Sequence, residues 1–139
     1  PNFEDGQYLI VDELSYFFHE PRRGEVVVFR YPNDPQQYFI KRIIGLPGET
    51  VNVENGRLSI VNAEYPQGFF LDEPYLLDRV VTSGGEPFVL GANEYVVLGD
   101  NRSESSDSRS WGKLERRFIT GRVMFRAWPL GDFGIVVQP

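Results

Sequence analysis

The fold of this chain is decided by residues 38–49, which read YFIKRIIGLPGE. As a β-strand the segment places successive side chains on opposite faces of a sheet. Phe39, Lys41 and Ile43 then share one face, and Arg42 lies on the other face between two isoleucines. Burying a cation is costly unless the cation is paired or neutralised. The strand therefore requires a partner or a loss of charge for each of its two cations.

Lys41 and Arg42 have different chemical options. Arginine cannot release its proton in a protein, so Arg42 must meet an anion or reach water. Desolvation lowers the pKa of a lysine amine, and a neutral amine is a general base. Two interpretations stay open from these residues alone: cations that reach solvent or pair with carboxylates, and a lysine that serves as a base.

The composition excludes several classes of function. The net charge of −6 argues against a nucleic-acid surface, which needs clustered Lys and Arg. The chain has no Cys and a single histidine, His19, so thiol catalysis, cysteine-ligated zinc sites and multi-histidine metal sites are excluded. We expect no cofactor and no metal. No apolar run approaches the roughly 18–20 residues that span a bilayer.

Short apolar runs separated by turns predict a mainly β domain with little helix, folded as antiparallel sheets in a barrel-like arrangement. Asn55-Gly56, between two alternating runs, predicts a type I′ hairpin. One helical turn is predicted at residues 114–118. We expect a single domain over residues 1–139, with an irregular excursion at residues 62–85. The predicted strands are 7–12, 25–30, 38–44, 50–54, 57–61, 86–90, 94–99 and 119–128.

A polar segment at residues 99–112, GDNRSESSDSRSWG, is the second informative stretch. Loops of this length without secondary structure tend to be functional, although a solvated polar loop is the alternative. Its arginines and aspartates can brace it through charge-assisted hydrogen bonds. Its serine hydroxyls can bond or orient an amine. The glycine-rich phosphate-binding motifs are absent from the sequence.

Three segments, taken together, resemble the conserved boxes of the type I signal peptidases, in family order and at plausible spacing. They are RGEVVVF at residues 23–29, KRIIGLPGE at 41–49 and the polar segment at 99–112. The resemblance extends from Pro1 to about Trp128. It implies a serine endopeptidase that removes signal peptides from preproteins after small residues at −1 and −3. It also implies a catalytic domain on the extracytoplasmic face of the bacterial cytoplasmic membrane.

The resemblance implies a Ser/Lys dyad with Lys41 as general base, desolvated by Phe39, Ile40, Val28 and their neighbours. Ser105 would hydrogen-bond the Lys41 amine and orient it. Support of the loop would come from Asp100, Arg102, Asp107 and Arg109.

Pro1 looks like the proline of the family's Ser-Met-x-Pro motif. The nucleophilic serine would then lie three residues before Pro1, outside this chain, and part of the oxyanion hole with it. As given, the chain is therefore expected to be inactive.

The resemblance also implies a substrate pocket and a membrane contact, with core packing as the alternative for every residue. The pocket walls would be Phe3, Tyr8, Leu9, Val28, Tyr38, Phe39 and Ile40. The candidates for contact with lipid are Tyr16, Phe17, Phe18 and Trp128. The expected partners are signal-peptide-bearing preproteins and the membrane surface, with no nucleic acid.

Two other functions stay open beside the peptidase. One is a self-cleaving repressor-type protein with a similar Ser/Lys dyad. The other is an inactive or truncated homologue that binds extended peptides.

Overall fold

Strands make up most of the regular structure. The computed structural model describes residues 8–128 and 134–135 of the chain, and the side chains of residues 9–124. Helix within this part is limited to α1, Ser108–Trp111, and two 3-10 turns, Ser15–Phe17 and Arg116–Phe118. The strands are β1 Tyr8–Asp12, β2 Val26–Tyr31, β3 Asp34–Gly45, β4 Thr50–Glu54, β5 Arg57–Val61, β6 Phe69–Phe70, β7 Phe88–Val89, β8 Glu94–Leu98, β9 Leu114–Glu115, β10 Ile119–Trp128 and β11 Gly134–Ile135.

These strands form two sheets, and all their pairings are antiparallel. The larger sheet has the order β1-β10-β2-β3-β8-β9, with β11 pairing β10. The smaller sheet has the order β6-β5-β4-β7. The prediction of a mainly antiparallel β fold with little helix is confirmed. No helix in the described ranges is long and apolar enough to cross a membrane.

The central strand β3 alternates its faces as the sequence predicts. Ile43 packs in a buried cluster with Phe29 on one face of the larger sheet. Ile44 packs on the other face with Val51 and Ile60, which belong to the smaller sheet. The smaller sheet therefore covers one face of β3, and β3 is buried on both faces at its C-terminal end.

The backbone geometry explains why Asn55-Gly56 and Gly45 occupy their positions. Asn55 and Gly56 have φ angles of 50° and 79°, the two positive values of a type I′ turn, so the hairpin prediction is confirmed. At Gly45 a Cβ atom would lie 2.5 Å from Cγ2 of Val51, so glycine allows the two sheets to approach closely.

Several boundaries differ from the sequence prediction. Strand β3 begins at Asp34 rather than residue 38, because the chain reverses at residues 32–33 and pairs again at once. The predicted strand at 86–90 shortens to β7. The polar segment contains α1, which the pattern does not indicate. Its N-cap is Asp107, whose carboxylate accepts a hydrogen bond from the backbone N–H of Arg109.

Candidate active site

The Lys41 amine lies half-buried beside the polar segment. Strand pairing places Lys41 opposite Val27, which is fully buried, and the amine nitrogen is 5.8 Å from the centroid of the Phe39 ring. Burial lowers the pKa of Lys41, and the charges of Asp107 and Asp100 offset only part of this effect. A lowered pKa increases the fraction of the lysine amine that is neutral near pH 7, and the neutral amine can act as a base.

The residues that desolvate Lys41 differ from those expected. The sequence assigned this role to Phe39, Ile40 and Val28. Val28 and Ile40 pair with each other across β2 and β3 and pack in a different cluster. Side chains alternate along a strand, so neighbours of Lys41 in sequence point to the opposite face. Phe39 and Val27 remain on the lysine's side, and the assignment of Ile40 and Val28 is wrong.

Ser105 lies next to the Lys41 amine. Its Oγ is buried and has no hydrogen-bond partner among the described residues. A Cβ atom added to Gly99 would overlap this Oγ and would lie 3.5 Å from Nζ of Lys41. The hydroxyl and the amine thus face the same side of Gly99. The structure brings the two groups together, but the expected hydrogen bond between them is not formed.

Asp107 holds the polar segment in place from within. It is fully buried and accepts a hydrogen bond from the backbone N–H of Gly99 at 3.1 Å. Arg109 binds the same carboxylate through Nε at 2.9 Å and Nη2 at 2.8 Å. Burial alone raises the pKa of Asp107, but Arg109 and the backbone donors outweigh it, and the pKa lies below its usual value. Asp107 is therefore a charged anchor for the loop.

Asp100 pairs with Arg42, the second cation of β3. Nε and Nη2 of Arg42 donate to the two carboxylate oxygens at 3.0 and 2.8 Å. Nη1 donates to the carbonyl of Gly24 at 2.9 Å, and the guanidinium lies 3.9 Å from the centroid of the Tyr75 ring. Arg42 is 1% exposed. The buried Arg42 is thus paired with an anion, Asp100, as its position in an apolar strand requires.

Arg102 binds two residues, Glu73 and Thr82, that the sequence did not single out. Its guanidinium pairs with both carboxylate oxygens of Glu73 and donates to Oγ1 of Thr82 at 2.6 Å. Glu73 lies 29 residues before Arg102, in the irregular excursion. No motif or spacing marks that segment, so only the folded chain shows that it contacts the site.

The residues expected to form the pocket divide over two faces of β3. Leu9, Val28 and Ile40 pack together against a buried valine pair. Phe39 packs in the opposite cluster, and Tyr38 is half-exposed with the Arg30 guanidinium 4.8 Å from its ring centroid. Phe3 and the side chain of Tyr8 lie outside the described residues. The set therefore does not form one continuous wall within the described part of the chain.

The single histidine belongs to another region. Its ring packs edge-on against Tyr16 with centroids 5.6 Å apart, and its Nδ1 lies 2.8 Å from the carbonyl oxygen of Glu20. Within residues 8–128 and 134–135, no group of three or more His, Cys, Asp or Glu side chains could hold a metal ion.

Replacing Gly99 with alanine should separate the Lys41 amine from the Ser105 hydroxyl. The added methyl group would overlap the Ser105 side chain, whose Cβ would be only 2.5 Å away, so Ser105 must move. Overpacking of this kind costs about 1–3 kcal/mol. We expect Gly99→Ala to lower the unfolding free energy by this amount, measured by urea denaturation.

Gly85→Ala is the matched control, because a Cβ atom at Gly85 meets nothing within 4 Å. Equal unfolding free energies for the two variants would contradict the close contact between Gly99 and Ser105.

Comparisons with known proteins identify the class of this fold and site. The family described as "Signal peptidase, peptidase S26" matches residues 1–128. A "Signal peptidase I" of Leptolyngbya laminosa is 40% identical over 147 residues, covering 100% of this chain and 68% of the relative. A "Signal peptidase IB" of Staphylococcus aureus is 31% identical over 150 residues, covering 100% of this chain and 78% of the relative.

A crystal structure of a signal peptidase I from Enterococcus faecalis has a similar fold. The TM-score is 0.60 with 31% sequence identity, covering 75% of this chain and 97% of the other. Fold and relatives together define an enzyme of the serine peptidase class. The chain belongs to the signal peptidase family, peptidase S26.

Proposed function

We propose that this protein removes signal peptides from secreted preproteins, with Lys41 as the general base of a Ser/Lys dyad. The observation that carries the proposal is the half-buried Lys41 amine, whose pKa is lowered by burial, beside the buried hydroxyl of Ser105. Membership of the family supplies the reaction class. The family pattern supplies the nucleophile, a serine three residues before Pro1.

The steps follow from the chemistry of these groups. The neutral Lys41 amine takes the proton of the serine hydroxyl as the serine oxygen attacks the scissile carbonyl carbon. The protonated amine then donates that proton to the leaving nitrogen, and an acyl-enzyme remains. The same amine then takes a proton from water as the water oxygen attacks the acyl carbon, and returns it to the serine oxygen as the ester bond breaks. Ser105 would orient the amine, a role open to a buried hydroxyl that has no hydrogen-bond partner among the described residues.

An extended substrate would bind along the edge of β3. On one side β3 pairs with β2, whereas β8 pairs with β3 only from Arg42 onward. The segment of β3 before Arg42 therefore has one edge without a neighbouring strand in the described part of the chain. Such an edge can take up a peptide as an added strand, with alternate side chains on its two faces. Phe39 on one face and Ile40 on the other would then limit the size of substrate side chains.

Cleavage of a synthetic preprotein peptide tests the proposal. We expect protein that carries the preceding serine segment to cut a peptide with Ala at −1 and −3 and to leave a peptide with Leu at both positions intact. Residues 1–139 alone should be inactive. Equal cleavage of both peptides, or cleavage by residues 1–139 alone, would contradict the proposed dyad and pocket.

We also propose that the domain touches the membrane surface through its first 3-10 turn. Leu14, Phe17 and Phe18 are 71%, 81% and 87% exposed, and neighbouring exposed apolar side chains can mark a surface that contacts a membrane. Tyr16 was a further candidate, with core packing as its alternative; it is buried and donates a hydrogen bond to Glu25 at 3.1 Å, so it is left out of this surface. The side chain of Trp128 lies outside the described residues.

Vesicle binding tests this contact. We expect Phe17→Ser with Phe18→Ser to weaken binding to zwitterionic lipid vesicles by at least about tenfold, since each aromatic side chain contributes about 1.5–3 kcal/mol when buried. Zwitterionic lipid is chosen because a net charge of −6 is repelled by anionic lipid. Phe70→Ser is the control, since Phe70 is also exposed but lies in the smaller sheet. An equal loss for the control would contradict the assignment to the 3-10 turn.

A further inference from the structure

We propose that Glu73 is a positioning residue for the Lys41 amine, acting through Arg102 and Gly99. The proposal gives a role to the irregular excursion at residues 62–85. It rests on the proposed function of Lys41, but its test does not require cleavage.

The first link is the pairing of Glu73 with Arg102. The Arg102 side chain is 0% exposed and that of Glu73 is 11% exposed. Nη1 and Nη2 of Arg102 both donate to the Glu73 carboxylate, and Nη1 also donates to Thr82. A buried guanidinium is stable only with its anion and with its hydrogen bonds satisfied. The orientation of Arg102 therefore depends on Glu73.

The second link runs from Arg102 to Gly99. Nε of Arg102 donates to the Gly99 carbonyl at 3.0 Å, while the Gly99 N–H donates to Asp107 at 3.1 Å. Both backbone groups of Gly99 are thus held by charged side chains. The amine of Lys41 and the hydroxyl of Ser105 both face Gly99. The position of Gly99 therefore affects how close the amine and the hydroxyl can lie to each other.

The excursion contacts the other arginines of the site as well. The Tyr75 hydroxyl donates to Glu73 at 2.9 Å, and the Tyr75 ring lies against the Arg42 guanidinium. Nη1 of Arg109 donates to the carbonyl of Ser83 at 3.2 Å. Arginines from β3 and from two points of the polar segment therefore meet the excursion. A segment with so many contacts to one loop is suited to hold that loop against β3.

Neutralising Glu73 should loosen this arrangement and admit water to the amine. Glu73→Gln keeps the shape of the side chain and one acceptor but removes the negative charge. Burial is the largest cause of the lowered pKa of Lys41, so hydration should move that pKa upward. The positive charge left on Arg102 would act in the opposite direction. The charges with the largest effects on the pKa of Lys41 are those of Asp107, Asp100 and Arg109, and Arg102 is not among them, so we expect hydration to dominate.

The chain offers a direct measurement, because its only lysines are Lys41 and Lys113. We expect NMR titration of isotope-labelled lysine side chains to show two amines, with Lys113 as the internal reference. In Glu73→Gln the pKa of Lys41 should rise by about half a unit or more, a shift equivalent to about 0.7 kcal/mol. Asp78→Asn, an exposed site in the same excursion, should leave the pKa of Lys41 unchanged.

Tyr75→Phe provides a second, milder variant. It removes only the hydroxyl that donates to Glu73, retains the ring against Arg42, and should shift the pKa of Lys41 upward by a smaller amount. An unchanged or lowered Lys41 pKa in folded Glu73→Gln would overturn the proposal. So would an unchanged value in Tyr75→Phe if Glu73→Gln fails to fold. A raised pKa together with failure of the peptide-cleavage assay would uphold positioning and reject the proposed enzyme function.

Discussion

Replacing Lys41 with methionine is expected to abolish peptide cleavage while leaving the protein folded. Methionine matches the length of the lysine stem and has no basic group. Removing one member of a nucleophile–base unit costs about 10⁴-fold or more in rate. Arg42 is next in sequence but cannot take over, because a guanidinium does not release its proton and this one is bound to Asp100. The measurement is kcat/KM for the −1/−3 Ala peptide, in protein that carries the serine segment.

Lys113→Met is the matched control for this loss. Lys113 is more than one-third exposed, pairs with Glu94 at 3.3 Å and lies outside the site. The Lys113→Met variant should retain the activity of the unaltered protein. Measurable cleavage by Lys41→Met, or an equal loss in both variants, would contradict the assignment of Lys41 as the base.

Lys41→Met should also make the folded protein more stable at neutral pH. The pKa of Lys41 is lowered in the folded protein from its ordinary value of 10.5. Between the folded pKa and 10.5 the unfolded chain binds one more proton, so stability rises with pH in that window and is reduced below it. Methionine removes this penalty. We expect Lys41→Met to unfold at a higher urea concentration at pH 7, with the part of the difference due to this penalty shrinking as the pH rises towards 10.5 and absent above it.

Local patterns predicted the parts of the fold that local chemistry controls. Alternation along residues 38–49 gave the two faces of β3, and Asn55-Gly56 gave the hairpin, because side-chain direction and turn geometry depend on immediate neighbours. The Asp107–Arg109 pair is of the same kind, since it spans two positions in sequence. Resemblance to a known family, rather than spacing, singled out Ser105 and favoured one of the two interpretations of Lys41.

The contacts of the excursion could not be predicted in this way. Glu73 meets Arg102 across 29 positions, through an irregular segment whose path no periodicity describes. The absence of a hydrogen bond between Lys41 and Ser105 is likewise a matter of ångströms, set by how Gly99 is held from both sides. Partner identity over long separations and sub-ångström placement are properties of packing, and the sequence pattern records neither.

Removing the Asp100 carboxylate is expected to cause the largest loss of stability among single changes at the site. Arg42 is 1% exposed and its Nε and Nη2 both donate to Asp100. Deleting one partner of a buried ion pair costs about 3–5 kcal/mol, because a desolvated charge loses its counterion. We expect Asp100→Ala to lower the unfolding free energy by this amount, measured by urea denaturation at pH 7.

An exposed pair in the same chain provides the control. Arg117 and Glu115 lie 3.0 Å apart, but their side chains are 71% and 54% exposed, so Glu115→Ala should cost less than about 1 kcal/mol. A double variant, Arg42→Met with Asp100→Leu, removes both buried charges and should recover most of the stability lost in Asp100→Ala, since well-packed apolar groups can replace a buried pair. If Asp100→Ala cost no more than Glu115→Ala, the Arg42–Asp100 pair would not anchor the polar segment to β3.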